Sequence, residues 1–263
     1  MMKLVLALLL FAQPAYAAVD LDGTDDQVGC LSPATLDNIF TGGGTICVRF
    51  RRDTTNGFMV LVTKINSSTF AGWTVGVGDD GSPSGTYDDI FFYQSSNSGA
   101  SAWEGYGTGV AMTSTTTDYS VCVAYNSDTT TNDPTGAVNG TAVTFTNTAY
   151  SGTVDSDAAE TFIIGSQGGS YWNGRIREVV AWNSSLTAAQ MADITASRAK
   201  RFQLNTATAD IVGYWPLDDG VGGVAANGTT ANDLSGNDND CTPNDGANNT
   251  GMTWFWDQYA TYP

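Results

Sequence analysis

The side chains available for chemistry in this chain are carboxylates and aromatic rings, because its 263 residues include no histidine. Without imidazole there is no Ser-His-Asp or Cys-His nucleophile and no His-ligated zinc, so acid–base work would fall to Asp and Glu. Those number 27 against 10 Lys and Arg, a formal charge of -17 that repels phosphate backbones and argues against a nucleic-acid partner. Glu occurs only at Glu104, Glu160 and Glu178, each isolated, in AWEGYG, AAETF and RIREV. Retaining glycoside hydrolysis needs two carboxyl groups about 5 Å apart. On a strand that means acids two or four residues apart on one face, and no expected strand carries such a pair. Asp88 and Asp89 are adjacent and would point to opposite faces. A catalytic role is therefore not expected.

Asp suits another chemistry, oxygen ligation of a hard cation, and calcium is the cofactor its clustering suggests. One candidate site is DLDGTDD, with Asp22, Asp25 and Asp26 as ligands and Asp20 close by. A second is Asp233 with Asn237, Asn239 and Asp240, which lacks the glycine and the distal Glu of an EF-hand loop. Turn-forming Asp and Asn explain either cluster equally well. Rings for stacking on sugars are expected at Trp103 and Tyr106 in SAWEGYGTG and at Tyr171 and Trp172 in QGGSYWNG, which read as loops. Trp73, Trp182 and Trp215 alternate with apolar neighbours and are expected in the core. Sequons begin at Asn66, Asn139, Asn183, Asn227 and Asn248, and matter only in a eukaryotic host.

The elements that must position these groups are mostly strands. Met1 to Ala17 reads as a secretory signal: Lys3, an apolar run from Leu4 to Phe11, and the small-x-small site Ala15-Tyr16-Ala17. The mature chain would be secreted, with no transmembrane segment. Its 30 glycines and short alternating runs predict one large all-β sandwich, with strands at 18–21, 27–31, 45–52, 58–65, 72–77, 90–94, 109–113, 119–125, 136–138, 141–145, 161–164, 175–182 and 211–216. In the strand at 175–182, Ile176, Glu178, Val180 and Trp182 are expected on one face, and Arg175, Arg177, Val179 and Ala181 on the other. One helix is expected from about Ala188 to Phe202, opened by Thr187 and Gln190 as a capping box. The segment 225–251 reads as a long loop, and 253–256 as a terminal strand or anchor. Cys47 and Cys122 each sit mid-strand on the face away from the apolar set. A Cys47–Cys122 bridge with Cys30–Cys241 is thus the first choice among three connectivities.

Several segments together carry a resemblance. AVDLDGTDDQV, the strand from Thr45 to Phe50, GWTVGVG, DYSVCVAY followed by GAVNGTAV, and above all NGRIREVVAWNSSLTAAQMADI resemble the laminin-G-like branch of the concanavalin A-like lectin and glucanase superfamily. The resemblance covers about residues 18–204. It implies a jelly roll of two antiparallel sheets whose concave face and loop rim take glycans or other surface ligands. Related domains bring an Asp from the strand beginning GRI to a calcium site. Arg177 stands in that place here, which weakens the family-type site and allows an Arg–carboxylate pair instead.

The extension 205–263 is stranger, because IVGYWPLDDGVGG resembles the opening of such domains. Its strand at 211–217 could close its own sandwich, begin a second repeat, or complete a neighbour's sandwich by self-association. The expected protein is an exported, non-catalytic binder of carbohydrate or of another cell-surface ligand. The alternatives are a structural subunit of an extracellular or virion surface assembly joined through that strand, and a diverged glycoside hydrolase.

Overall fold

The computed structural model describes residues 16–78, 88–96, 103–108, 110–129, 132–147, 152–196, 201–202, 204, 209–247 and 251–257. The strands are β1 (Tyr16–Asp22), β2 (Gln27–Gly29), β3 (Gly44–Arg52), β4 (Met59–Ile65), β5 (Gly72–Val77), β6 (Ile90–Gln94), β7 (Trp103–Thr108) and β8 (Tyr119–Tyr125). They continue as β9 (Thr135–Val138), β10 (Thr141–Asn147), β11 (Phe162–Ile164), β12 (Ser166–Gln167), β13 (Ser170–Tyr171) and β14 (Asn173–Trp182). After α1 (Ala188–Thr195) come β15 (Ile211–Trp215), β16 (Thr242–Asn244) and β17 (Thr253–Asp257).

Antiparallel pairing runs in the order β16-β2-β11-β4-β5-β6-β7-β10-β9-β8-β3-β14-β1-β17, with β15 also on β14. Rings far apart on that path meet: Phe92 of β6 lies 5.4 Å from Tyr125 of β8, and Phe162 of β11 lies 4.9 Å from Trp215 of β15. Only a path folded back on itself allows this, and the result is a two-layer sandwich over one apolar core, the jelly roll. The core takes alternate residues, such as Ile46, Val48 and Phe50 from β3 and Tyr119, Val121, Val123 and Tyr125 from β8. Cys47 and Cys122 stand opposite each other on the other face and are bonded; Cys30 is bonded to Cys241.

Strand β14 departs from strict alternation. Its pairing with β3 shifts between Ile176 and Glu178, a bulge that changes which side chains share a face. Ile176, Val179 and Ala181 therefore enter the main core, while Val180 and Trp182 join Cys47 and Cys122 outside it. The expected grouping of Ile176 with Val180 and Trp182 is thus corrected. A strand expected at 109–113 is likewise replaced by β7, which lies earlier. Glycine there marks crowding rather than a turn, since a Cβ on Gly107 would collide with Ile90 and come within 3.0 Å of Val143.

Helix α1 has its full capping box on Thr187 and Gln190, and it buries Met191 and Ile194. It is shorter than expected; residues 201–202 are not helical, and residues 197–200 lie outside the described segments. With Leu186 and Phe202, α1 covers the outer face of the layer that holds β3, β8 and β14. No helix covers the outer face of the other layer, β16-β2-β11-β4-β5-β6, among the described residues.

The extension is part of the sandwich. β1 and β15 lie end to end on one edge of β14, and β17 pairs with β1 from Tyr16 to Asp20. The expected signal cut after Ala17 falls two residues into β1 and leaves Ala18–Asp22 paired. The segment read as a loop at 225–251 buries Ala226, Ala231, Cys241 and Asp245 and contributes β16. Among the described residues no helix is long and apolar enough to cross a membrane.

Candidate functional site

On the outer face of the second layer, β16-β2-β11-β4-β5-β6, which the β12–β13 hairpin partly covers, alternation sends polar and aromatic side chains outward. In β5 and β6, Trp73, Val75, Val77, Ile90 and Phe92 point into the core, so Thr74, Phe91 and Tyr93 face out. Phe58, Phe70, Thr74, Phe91, Tyr93 and Gln167 line a groove of about 160 Å³ there. Phe58 packs edge-on against Phe91, with ring centres 5.0 Å apart.

Phe70 is the exposed ring of this groove, at 53%. It sits in the β4–β5 connection with φ 58°, a left-handed conformation that a bulky side chain rarely adopts. The connection holds it there. Asn66 Oδ1 accepts the amides of Ser68 and Thr69, the Phe70 amide donates to Asn66 O, and the Tyr93 hydroxyl reaches Phe70 O at 3.4 Å. Gly72 closes the turn at φ 123°, where a Cβ would collide with Lys64 O. Strain of this kind costs about 1–3 kcal/mol and collects at binding sites.

Gln167 stands between this groove and a polar cleft of about 520 Å³, within the usual range of ligand sites, and lines both. Its lining includes Gln27, Thr63, Asn66, Ser67, Glu160 and Tyr171. The Thr74 hydroxyl donates to Gln167 Oε1 at 2.8 Å, which leaves the Gln167 amide N–H groups for a ligand. Glu160 Oε1 accepts from Asn66 Nδ2 at 3.2 Å, and Ser166 Oγ donates to Gln27 Oε1 at 2.7 Å. Glu160 is the one carboxylate among the described lining residues, so no carboxylate pair of the glycosidase kind stands here. A depression of about 560 Å³ at Gly42, Asn126, Asn132, Asn183 and Ser185 is as large, but its one ring, Tyr125, is buried.

Of the four expected ring positions, the structure brings only Tyr171 to this site with its side chain described. Trp172 is a correction: it is wholly buried, 4.8 Å from Phe50 edge-on, and cannot stack on a ligand. Trp103 and Tyr106 lie in β7 rather than a loop, their backbones paired with Gln94 and Phe91; their side chains lie outside the described residues. Phe70, Phe91, Tyr93 and Gln167 were not foreseen. The outward phase of Phe91 and Tyr93 was readable in IFFYQ, whereas the Phe70 conformation leaves no sequence signal.

A separate acidic cluster forms where β1 turns into β2. Carboxylate oxygens of Asp22, Asp25 and Asp26 lie within 4.8 Å of one another. Asp245 from the extension, 2% exposed, packs beside Asp26. Asp26 is fully buried; its Oδ2 accepts the Asp22 amide at 2.8 Å, and its carboxyl lies within hydrogen-bonding reach of the Asp245 carboxyl. Burial first, then the Asp22 and Asp245 carboxylates, push the Asp26 carboxyl up to about 7, against the opposing Asp22 amide. A hard cation with oxygen ligands fits this donor set. Asp20 is excluded from it, being paired with Arg175 at 3.1 Å. Arg177 does not replace the cation; it pairs with Asp118 at 3.0 Å.

The second expected cation cluster is a turn. Asp233 accepts from the amides of Tyr214, Ser235 and Asn239, Asp240 accepts from the Asp233 amide, and Asn237 and Asn239 donate to Val212 O. The Ser235 hydroxyl also donates to Asp233 Oδ2 and the Thr35 hydroxyl to Asn239 Oδ1, so these side chains hold the turn together.

Comparison with known proteins agrees with this architecture. A protein of Bacteroides ovatus described as a candidate carbohydrate-binding protein superposes with a TM-score of 0.59 at 14% identity, over 93% of this chain. The chain spans 60% of the length of that protein. A heptameric SAP-like pentraxin from Limulus polyphemus gives 0.49 at 12% identity, covering 71% of this chain and 84% of its own. Domains LG4-5 of the mouse laminin alpha1 chain give 0.45 at 12% identity, covering 66% and 43%. The first of these likenesses, at 14% identity, shows the fold alone. A search of curated proteins finds no match. The family model matches residues 22–192, from the turn that carries the aspartates to the first turns of α1, and by that match the chain belongs to the concanavalin A-like lectin/glucanases superfamily.

Proposed function

We propose that this protein is an exported, non-catalytic module that binds carbohydrate in the trough between its second sheet layer and the β12–β13 hairpin. The observation that carries the reading is the pairing of two accessible rings, strained Phe70 and half-buried Tyr171, with the amide and hydroxyl side chains of Gln167, Asn66, Ser67 and Gln27. Sugars present apolar ring faces and a rim of hydroxyls, and stacking beside amide donors matches both. The carbohydrate-binding description of the Bacteroides relative supports the same reading. Calcium at Asp22, Asp25, Asp26 and Asp245 would join the β1–β2 turn to the extension. The two disulfides suit an oxidising compartment. Assembly through the C-terminal strand has no support in the pairing, since β15 lies on β14 of its own chain.

A glycan array probed with the native protein and with Phe70→Ala and Tyr171→Ala tests the reading. Specific binding lost in both variants, with melting curves unchanged, is the expected result. Full binding by both variants would remove the trough from the function.

A further inference from the structure

Lys64 of β4 stands directly opposite Phe162 of β11 on one side and Trp73 of β5 on the other, and directly opposed residues share a face. Both rings belong to the main core, so the lysine points inward and is wholly buried. A buried ammonium is costly unless its partners are close. Its Nζ donates to Asp37 Oδ1 at 2.9 Å and to the backbone O of Asp157, and it lies 3.3 Å from Asp157 Oδ1. Asp157 is buried, whereas Asp37 keeps one edge in solvent. We infer that these three side chains close an intramolecular isopeptide bond, in which Lys64 Nζ becomes an amide nitrogen on Asp157 Cγ and Asp37 carries the protons.

The acceptor is held for this step by Asn38, which exchanges two hydrogen bonds with Asp157. The Asn38 amide donates to Asp157 Oδ1 at 2.7 Å, and Asn38 Oδ1 accepts the Asp157 amide at 3.2 Å. Burial pushes the Asp157 carboxyl above the usual carboxylate range, against the Asn38 amide and Lys64, so that it retains a hydroxyl to lose. Asp37 takes one proton from the Lys64 ammonium, and the freed lone pair attacks Asp157 Cγ. Negative charge develops on Oδ1, where the Asn38 amide already donates. Asp37 returns its proton to the hydroxyl on the other oxygen, the C–O bond breaks and water leaves. A second proton passes from the nitrogen to Asp37 and out to solvent at its exposed edge, leaving a neutral amide N–H. One C–N bond replaces one C–O bond, and no oxidant or further reactant is consumed.

Two physical terms favour the bond at this place. Holding amine and carboxyl in contact replaces a bimolecular encounter with an intramolecular one. In water an ammonium and a carboxylate outlast the amide because both ions are hydrated, and at a buried site that hydration is lost. The amide also removes the charge of Lys64 and of Asp157 from the interior and leaves only partly exposed Asp37 ionised. The product ties the segment before β11 to β4, independently of both disulfides.

Tryptic mapping and intact mass of the reduced full chain test the inference. The sequence has no Lys or Arg between Lys64 and Arg175, and trypsin does not cut after an acylated lysine. The expected result is a chain lighter than its sequence by one water, with residues 53–175 recovered as a single piece whose fragment ions place the link at Lys64 and Asp157. Lys64→Arg, which keeps the charge but cannot form the amide, and Asp37→Asn should both show the full mass and release peptide 53–64. A native chain at full mass that releases this peptide would overturn the inference without recourse to any variant. A missing water placed elsewhere by the fragment ions would overturn it as well, and complete linkage in Asp37→Asn would overturn the role given to Asp37.

Discussion

Adjacent side chains of an extended backbone point to opposite faces, and at Tyr171 and Trp172 this separates a ligand contact from a core contact. Trp172 fills the interior against Phe50, so Trp172→Ala should cost about 3–5 kcal/mol, read as a large drop in the denaturant midpoint. Tyr171→Ala should leave that midpoint almost unchanged and abolish glycan binding. The sequence placed both rings in a loop, because QGGSYWNG shows glycines and no alternation long enough to reveal the two-residue strands β12 and β13. Asp26 carries a second prediction at this scale. Its carboxyl holds a proton up to about pH 7 in the folded chain, whereas an unfolded Asp loses it near pH 4. A raised carboxyl pKa stabilises the fold below that lower value, and the contribution is lost as pH rises through about 7. In chelator, thermal stability should therefore fall between pH 4 and 7. Calcium should restore it at pH 8 and have little effect at pH 5, where the proton occupies the site. Asp26→Asn should be less pH-sensitive in chelator and no longer respond to calcium; a calcium response kept by this variant would exclude Asp26 as a ligand.

Strands with clean alternation were legible as elements, and those with a local irregularity were not. In TICVRFRR and DYSVCVAY the period of two put the apolar residues and the cysteines on separate faces, and the Cys47–Cys122 pair follows from that geometry. In RIREVV the bulge at Ile176–Glu178 changes the phase mid-strand, and nothing in the residue types announces it. The inserted step leaves Glu178 under the segment after α1, where its carboxylate accepts from the Phe202 amide and the Tyr214 hydroxyl, both at 2.9 Å. That carboxyl is pushed up by burial and held down by Arg49, so it serves to fasten Phe202 over the outer face. The helix start, by contrast, was fully readable. Thr187 accepts from the Gln190 amide while the Gln190 side chain accepts from the Thr187 amide. Thr187→Ala should cost about 1 kcal/mol in urea unfolding without altering glycan binding, since α1 lies on the layer opposite the trough. A loss of binding at unchanged stability would tie the helix to the ligand instead.

At the scale of the molecule, the extension after α1 supplies β15 to one layer, β16 to the other and β17 to the far edge of β1, so it closes the sandwich on both sides. The Cys30–Cys241 bond fastens this extension beside β2, whose Gln27 lines the polar cleft. The two disulfides should then differ in both energy and consequence. They close stretches of 211 and 75 residues, and chain entropy makes the longer one worth about 1 kcal/mol more, out of about 2–5 kcal/mol for either. Cys47–Cys122 joins strands that are already paired directly opposite each other, on the face covered by α1. Replacing Cys47 and Cys122 by Ser should thus lower stability and leave glycan binding unchanged. Replacing Cys30 and Cys241 by Ser should lower stability more and, in the protein that remains folded at low temperature, weaken glycan binding, because β2 carries Gln27 of the cleft beside that bond. Urea unfolding gives the first comparison and the glycan array gives the second. Equal loss of binding in both double variants would mean that the bonds act through global stability alone.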